Sequence, residues 1–238
     1  MLRPRAHAPG RVGLYIEPVV LPQPGAGTIR VKLATGGRLI AGTQNDISFD
    51  VSVRVKAGPD GLPACRPNAD IGKELTLFAF LPPGCSGTAC TGMRALVASQ
   101  SNVDPIPDGA VLYTCDITAT GSGTLALSRA RASDPSGLSI ASFTAFEGRA
   151  CLLEDAILLR TPTPTRTPSA TRTPTPTPSC AGDCDRNAVV TIDEIILMVN
   201  IALDLRPTSA CRPGDANGDG RVTVEEIILA VTKALGRC

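Results

Sequence analysis

Two kinds of hydrophobic periodicity divide this chain. From residue 12 to 159, short runs rich in Val, Ile, Leu, Thr and Phe alternate with the turn clusters GG, PPG, PDG, GSG and DPSG. The runs TIRVKLA, DISFDVSVRV, ELTLFAFL, MRALVAS, AVLYTCDITA, TLALSRARA and SIASFTAFE predict strands, because β-branched and aromatic residues suit a pleated surface and Gly, Pro, Asn and Asp suit the turns between. Alternation is strictest at Ile47, Phe49, Val51, Val53 and Val55. It predicts one strand with those side chains on the core face and Asp50, Ser52 and Arg54 facing water. Seven or more strands at this length predict a mainly β domain built as a two-sheet sandwich. Beyond residue 180 the period changes. IILMVNIAL (Ile195–Leu203) and IILAVTKAL (Ile227–Leu235) align residue for residue and predict a pair of short helices with buried Ile and Leu faces. Met198 belongs to that helix core, and Gly236 is placed to end the second helix.

Between the two patterns runs RTPTPTRTPSATRTPTPTPS, Arg160 to Ser179. Recurrent Pro fixes φ and removes backbone donors, so this segment predicts an extended polyproline II linker of roughly 60 Å. Its Thr and Ser suit an O-glycosylated stalk as well as an unmodified spacer. The expected organisation is a disordered start over 1–11, a sandwich over 12–159, a linker over 160–179 and a helical module over 180–238.

The helical module carries the chemistry. DANGDGRVTVEE spaces oxygen donors as a calcium-wrapping loop does: with Asp215 at position 1, Asn217 falls at 3, Asp219 at 5, the Arg221 carbonyl at 7, Thr223 at 9 and Glu226 at 12. Gly220 stands at position 6, where the chain turns sharply. A hard cation takes about six to eight oxygens, and alternate residues of a curled loop aim theirs at its centre. Thirty-two residues upstream the pattern recurs as DCDRNAVVTIDE, with Asp183, Asp185, Asn187, the Val189 carbonyl, Thr191 and Glu194 at the same offsets. Two Ca2+ sites are expected, of the weak extracellular kind with affinities of roughly 10⁻⁴ to 10⁻³ M. In the first loop Ala188 replaces the position-6 glycine and must adopt positive φ at a cost on the order of 1 kcal/mol, so the second loop is expected to bind more tightly. Val190 and Val222, both at position 8, are expected to pair as a short antiparallel bridge.

Two such loops side by side, each followed but not clearly preceded by a helix, resemble a dockerin over about 180–238. Dockerins are EF-hand-like calcium modules of extracellular polysaccharide-degrading systems. The resemblance implies a tail that folds around calcium and docks a protein partner of the cohesin-like kind in polysaccharide-degrading or cell-surface complexes. The chain departs from the family in closing its loops with Glu194 and Glu226, where dockerins usually have Asp. It departs again in carrying Ile192-Asp193 and Val224-Glu225 at positions 10 and 11, often Ser-Thr in cellulosomal dockerins. Upstream, AGTQNDISFDVSV and IPDGAVLYTCDITATGSGTLAL followed by ASDPSG resemble phrases of cohesin-like domains over residues 12–150, which implies a jelly-roll or immunoglobulin-like sandwich. Both partners' folds on one chain suggest assembly between molecules.

Composition narrows the alternatives. With 23 Lys and Arg against 22 Asp and Glu, and the linker arginines widely spaced without aromatics, nucleic-acid binding is not expected. The single histidine, His7, lies in the disordered start, and GCSGT lacks the final Gly of a nucleophile elbow, so no Ser-His-Asp site is expected. Asp46, Asp50, Asp104, Asp108 and Asp116 offer in principle a glycosidase pair, but read more simply as surface acids, so the chain is not expected to be an enzyme. Sugar stacking has no Trp and only Tyr15 and Tyr113 to use. An accessory carbohydrate-active protein and a purely structural, calcium-stiffened module are the alternatives to a docking protein. Nine cysteines without a C-x-x-C point to disulfides rather than zinc, and so to a secreted or cell-surface location. Cys85 with Cys90 and Cys65 with Cys115 are the expected pairs of the sandwich, leaving Cys151. In the module Cys180, Cys184, Cys211 and Cys238 permit three pairings, with Cys238 expected to join the region of Cys180 or Cys184. The opening MLRPRAHAPGRVGLYIEPVVLP has no uninterrupted apolar core for a signal peptide, so either the start is misassigned or the chain is a fragment. No run approaches the length of a membrane-spanning helix.

Overall fold

The computed structural model describes residues 12–21, 23–146, 148–152 and 180–236; the expected disordered start and the Pro/Thr linker lie outside them. Twelve strands occur among these residues: β1 Gly13–Ile16, β2 Val19–Leu21, β3 Gly25–Ala34, β4 Gly42–Phe49, β5 Val53–Val55, β6 Cys65–Pro67, β7 Leu77–Leu81, β8 Gly92–Val97, β9 Val111–Ala119, β10 Gly123–Ser133, β11 Thr144–Phe146 and β12 Gly148–Leu152. They form two sheets. One runs β11-β1-β3-β9-β5, with β6 also paired to β9, and the other runs β2-β12-β10-β4-β8-β7. Leu14, Ile29, Val31 and Ile117 from the first sheet and Ile47, Met93, Val97 and Leu125 from the second fill the space between them. Each such side chain contributes about 1.5–3 kcal/mol by leaving water. Within that core Tyr113 is fully buried. Its hydroxyl donates to Asn45 Oδ1 at 3.1 Å and accepts from Asn45 Nδ2 at 2.9 Å, which satisfies both groups where water is absent.

The expected single strand over 46–55 is two. β4 ends at Phe49, Val51 is 82% exposed, and β5 pairs with β9 in the opposite sheet. Asp50 makes the corner. Its Oδ1 accepts from Ser52 N at 2.7 Å and Val53 N at 3.1 Å, and its Oδ2 accepts from Thr124 N at 2.6 Å. A short acidic side chain thus offers the backbone an alternative to the ladder and overrides alternation. SIASFTAFE likewise yields only an isolated bridge at Ser139 and the short β11. In TLALSRARA the register against β4 shifts between Ser128 and Arg131, with Arg129 left-handed at φ 48°, a bulge that bends the strand.

The C-terminal part holds α1 Ile192–Ala202 and α2 Val224–Leu235, joined through a 3-10 segment at Thr208–Gly214. Gly236 is the residue that ends α2, as expected. The bridge expected between Val190 and Val222 does not form. Neighbouring amides are committed within each loop, Val189 N to Asn187 and Thr191 N to Glu194, Arg221 N to Asp219 and Thr223 N to Glu226. The two valines instead meet the helices through buried side chains.

Cys65–Cys115 and Cys85–Cys90 are bonded as expected. Cys184 bonds Cys211, and the expected pairing of Cys238 with the region of Cys180 or Cys184 falls on a residue outside the described ones. The bond ties the entrance of the first loop to the approach of the second. Cys180 is also disulfide-bonded; the side chains of Cys151 and Cys238 lie outside the described residues. None of the described helices is long and apolar enough to cross a membrane.

Candidate metal centre and docking face

The two loops share one wiring scheme. In the first, Asp183 Oδ1 accepts from Asn187 N and Oδ2 from Ala188 N, at 3.0 and 2.9 Å. In the second, Asp215 Oδ1 accepts from Gly218 N and Asp219 N at 2.8 and 3.0 Å, and Oδ2 from Gly220 N at 2.9 Å. The position-1 aspartate therefore curls each loop by holding its far amides. Position 12 closes it: Glu194 Oε1 accepts from Cys184 N and Asp185 N, and Glu226 Oε1 from Ala216 N and Asn217 N. The same glutamates accept through Oε2 from the N–H of Thr191 at 2.8 Å and of Thr223 at 2.9 Å. Thr-x-x-Glu is thus at once loop positions 9 to 12 and the reach-back of a capping box that starts the helix.

Asp183, Asp185 and Glu194 bring carboxylate oxygens within 4.8 Å of one another. No second trio of His, Cys, Asp or Glu among the described residues does so; the second loop carries its third carboxylate at position 5, on Asp219, rather than at 3. Three carboxylates, an amide oxygen, a backbone carbonyl and a hydroxyl per loop are the hard oxygen donors calcium takes, and nothing in either set favours a softer metal. Ala188 is left-handed at φ 67°, and Arg186 at position 4 is too, at φ 61°; the second loop has Gly218 and Gly220 there, at φ 76° and 86°. Sequence spacing identified the first of these substitutions and missed the second. Burial pushes Glu194 above the usual glutamate range against the pull of its three amide donors.

The helical pair sits on the outer face of the β10-β4-β8 sheet. Gly42 leaves room for it: an added Cβ there would stand 2.9 Å from Ile192 Cδ1 and 3.1 Å from Ile196 Cδ1. Ala41, Leu75, Leu96 and Ala98 of the sandwich share one buried cluster with Ile192, Ile195 and Ile196. Arg94 pairs with Asp46 through Nε–Oδ1 at 2.6 Å and Nη2–Oδ2 at 3.0 Å, and donates from Nη1 to the Ala234 carbonyl at 2.9 Å. That carbonyl belongs to the last turn of α2, where orphan acceptors and the helix dipole favour a cation. Asn200 Nδ2 donates to the Pro135 carbonyl at 3.1 Å. Along the seam runs a cleft of about 1230 Å³ that Arg94, Arg129, Arg131 and Lys233 line together with Ala188 and Thr191.

The acids weighed as a glycosidase pair hold separate structural posts. Asp46 is buried on Arg94, and Asp50 makes the sheet corner. Asp108 Oδ1 accepts from Thr35 N and Oγ1, Asp116 pairs with Arg66 at 2.9 Å, and the Asp104 carbonyl accepts from Lys73. Tyr113, in the core, is closed to a sugar.

No protein-family model matches the chain, and no curated protein matches it. Among solved structures it is similar to cohesin modules. A non-cellulosomal cohesin from the hyperthermophilic archaeon Archaeoglobus fulgidus matches at 13% identity and a TM-score of 0.45, over 62% of this chain and 94% of that one. The sixth cohesin from the scaffoldin B of Acetivibrio cellulolyticus, in complex with a Cel5 dockerin mutant, matches at 12% and 0.46, over 60% and 99%. A chain of a type I cohesin–dockerin complex from Clostridium thermocellum matches at 10% and 0.47, over 63% and 98%.

Proposed function

We propose that this chain is an extracellular, non-catalytic assembly protein whose C-terminal part binds two calcium ions and, ordered by them, docks onto a protein partner through its helices. The observation that carries this is the shared wiring of the loops, in which each position-12 glutamate closes its loop and also starts the helix that follows. Asp183, Asp185, Asn187, Val189, Thr191 and Glu194 would hold one ion, and Asp215, Asn217, Asp219, Arg221, Thr223 and Glu226 the other. Calcium supplies the positive charge that lets three carboxylates share one loop. The chain supplies the rest: Asp183 and Asp215 fix the loop amides, and Glu194 and Glu226 set the first turns of α1 and α2. Helices so fixed present a stable face. The dockerin resemblance of the loops puts the partner among cohesin-like proteins of polysaccharide-degrading or cell-surface complexes. Three disulfides, Cys65–Cys115, Cys85–Cys90 and Cys184–Cys211, support an oxidising compartment.

Calorimetric titration of the oxidised full chain with calcium, beside the Asp183→Ala and Asp215→Ala variants, tests the reading. Two binding events are expected, the tighter one lost in Asp215→Ala. No heat up to millimolar calcium, with far-UV circular dichroism unchanged, overturns it.

A further inference from the structure

The 32-residue repeat contains its own control on what the sandwich does to α1. Ile192, Ile196 and Asn200 stand one turn apart along α1 and are 0%, 0% and 4% exposed. Their repeat mates on α2 are Val224 and Ile228, 43% and 46% exposed, and Thr232, also exposed. Residues that form the helical pair's own core match in burial across the repeat: Ile195 with Ile227, Met198 with Ala230, Val199 with Val231. The Ile192–Ile196–Asn200 stripe is therefore module surface, buried where β4, β10 and the Pro135 turn lie over it.

The chain between the docked parts, residues 153–179, is 27 residues long. Its Pro/Thr stretch alone reaches roughly 60 Å if extended, against roughly 35–40 Å for the width of a domain the size of the sandwich. Such a connection reaches the sheet of a neighbouring molecule as well as its own.

We propose that the outer face of the β4–β8 sheet is a docking surface for helix α1, filled within one molecule in the closed state and filled by the α1 of a second copy in an exchanged state. This rests on the docking role proposed above and names its partner: another copy of this chain. Exchange adds no new contact. Arg94 receives the Ala234 carbonyl, and the Gly42 hollow the α1 side chains, from either molecule alike, so the balance is set by concentration against the effective concentration of the tethered helices.

Two complementary variants test this in the full chain with calcium. Gly42→Arg fills the hollow and blocks the sheet face while leaving the helices intact. Ile196→Asp spoils the helix face while leaving the sheet intact, and its repeat mate Ile228 shows that the position tolerates water; Asn200→Arg serves if Ile196→Asp loses helical circular dichroism. Neither variant can close upon itself or pair with its own kind. Each alone is expected to be monomeric by light scattering, with a larger radius of gyration than the wild-type chain. An equimolar mixture is expected to double in mass, because the helices of one fit the sheet of the other. A mixture that stays monomeric at millimolar concentration, beside a compact wild type, overturns exchange and leaves docking within the molecule. A wild-type chain as expanded as the variants overturns exchange and the docking role together.

Discussion

Left-handed backbone at a side-chain-bearing residue costs on the order of 1 kcal/mol, and the first loop bears that cost at Arg186 and Ala188 where the second has glycine. Ala188→Gly is expected to tighten calcium binding at the first loop about fivefold, the equivalent of about 1 kcal/mol, and to leave the second unchanged by calorimetry. Glu194 adds a pH dependence. Burial raises its pKa, calcium needs the ionised form, and protons therefore displace the ion as pH falls through that raised value. Binding at the first loop, isolated in the Asp215→Ala variant, should weaken as pH falls while it is still above the value at which an ordinary glutamate titrates. Arg94 is the residue on which the seam depends most. Arg94→Ala leaves the buried Asp46 with only the exposed Arg129, 3.8 Å away, and breaking such a buried pair costs up to about 3–5 kcal/mol. Urea unfolding should register that loss, while Arg94→Met with Asp46→Leu, which removes both charges, should recover much of it.

At the level of elements, Asp50 decides where a strand stops. Its carboxylate holds three amides, and Asp50→Ala is expected to destabilise the sandwich by about 1–3 kcal/mol, read as a lower urea midpoint with unchanged slope. The same residue shows why part of the fold was legible in the sequence and part was not. Ile47 and Val53 alternate as core residues do, and both are core; the pattern is blind to the sheet switch between them, because period 2 continues across a corner made by one side chain. The short β1, β2 and β6 carry too few residues for a period to register. The curl of the loops was legible, because the spacing of their Asp, Asn and Gly residues is that of a tight twelve-residue turn, and Thr-x-x-Glu is a local signal for the start of a helix. The docking face was hidden. Gln44, Asp46 and Arg94 occupy the polar phase of their strands and read as a solvent face, and only three-dimensional contact reveals that helices from the far end of the chain cover them.

For the whole molecule, calcium and docking pull on the same elements. The loop carboxylates order α1 and α2, and α1 lies on the sandwich, so an ion bound to the folded form alone should raise the stability of the seam as well as that of the loops. A hundredfold excess of calcium over its dissociation constant stabilises by about 2.7 kcal/mol per site, and a scan with and without chelator should show the helical transition moving down in temperature while that of the sandwich core moves less. The Cys184–Cys211 bond keeps the two loops tethered in either condition, so the change should reverse on restoring calcium.

The two loops do not face the same surroundings. Asp183 and Thr191 of the first are each 4% exposed, and Ala188 and Thr191 border the seam, whereas Asp215 and Thr223 at the same positions of the second are half-buried; positions 3, 5 and 7 are exposed in both. An ion held as proposed would have half its ligands open to water in either loop, but in the first Asp183 and Thr191 are shut in beside the seam, so sudden calcium withdrawal should proceed in a fast phase from the second loop and a slower one from the first, and the molecule would keep its shape for a time after the surrounding calcium has gone.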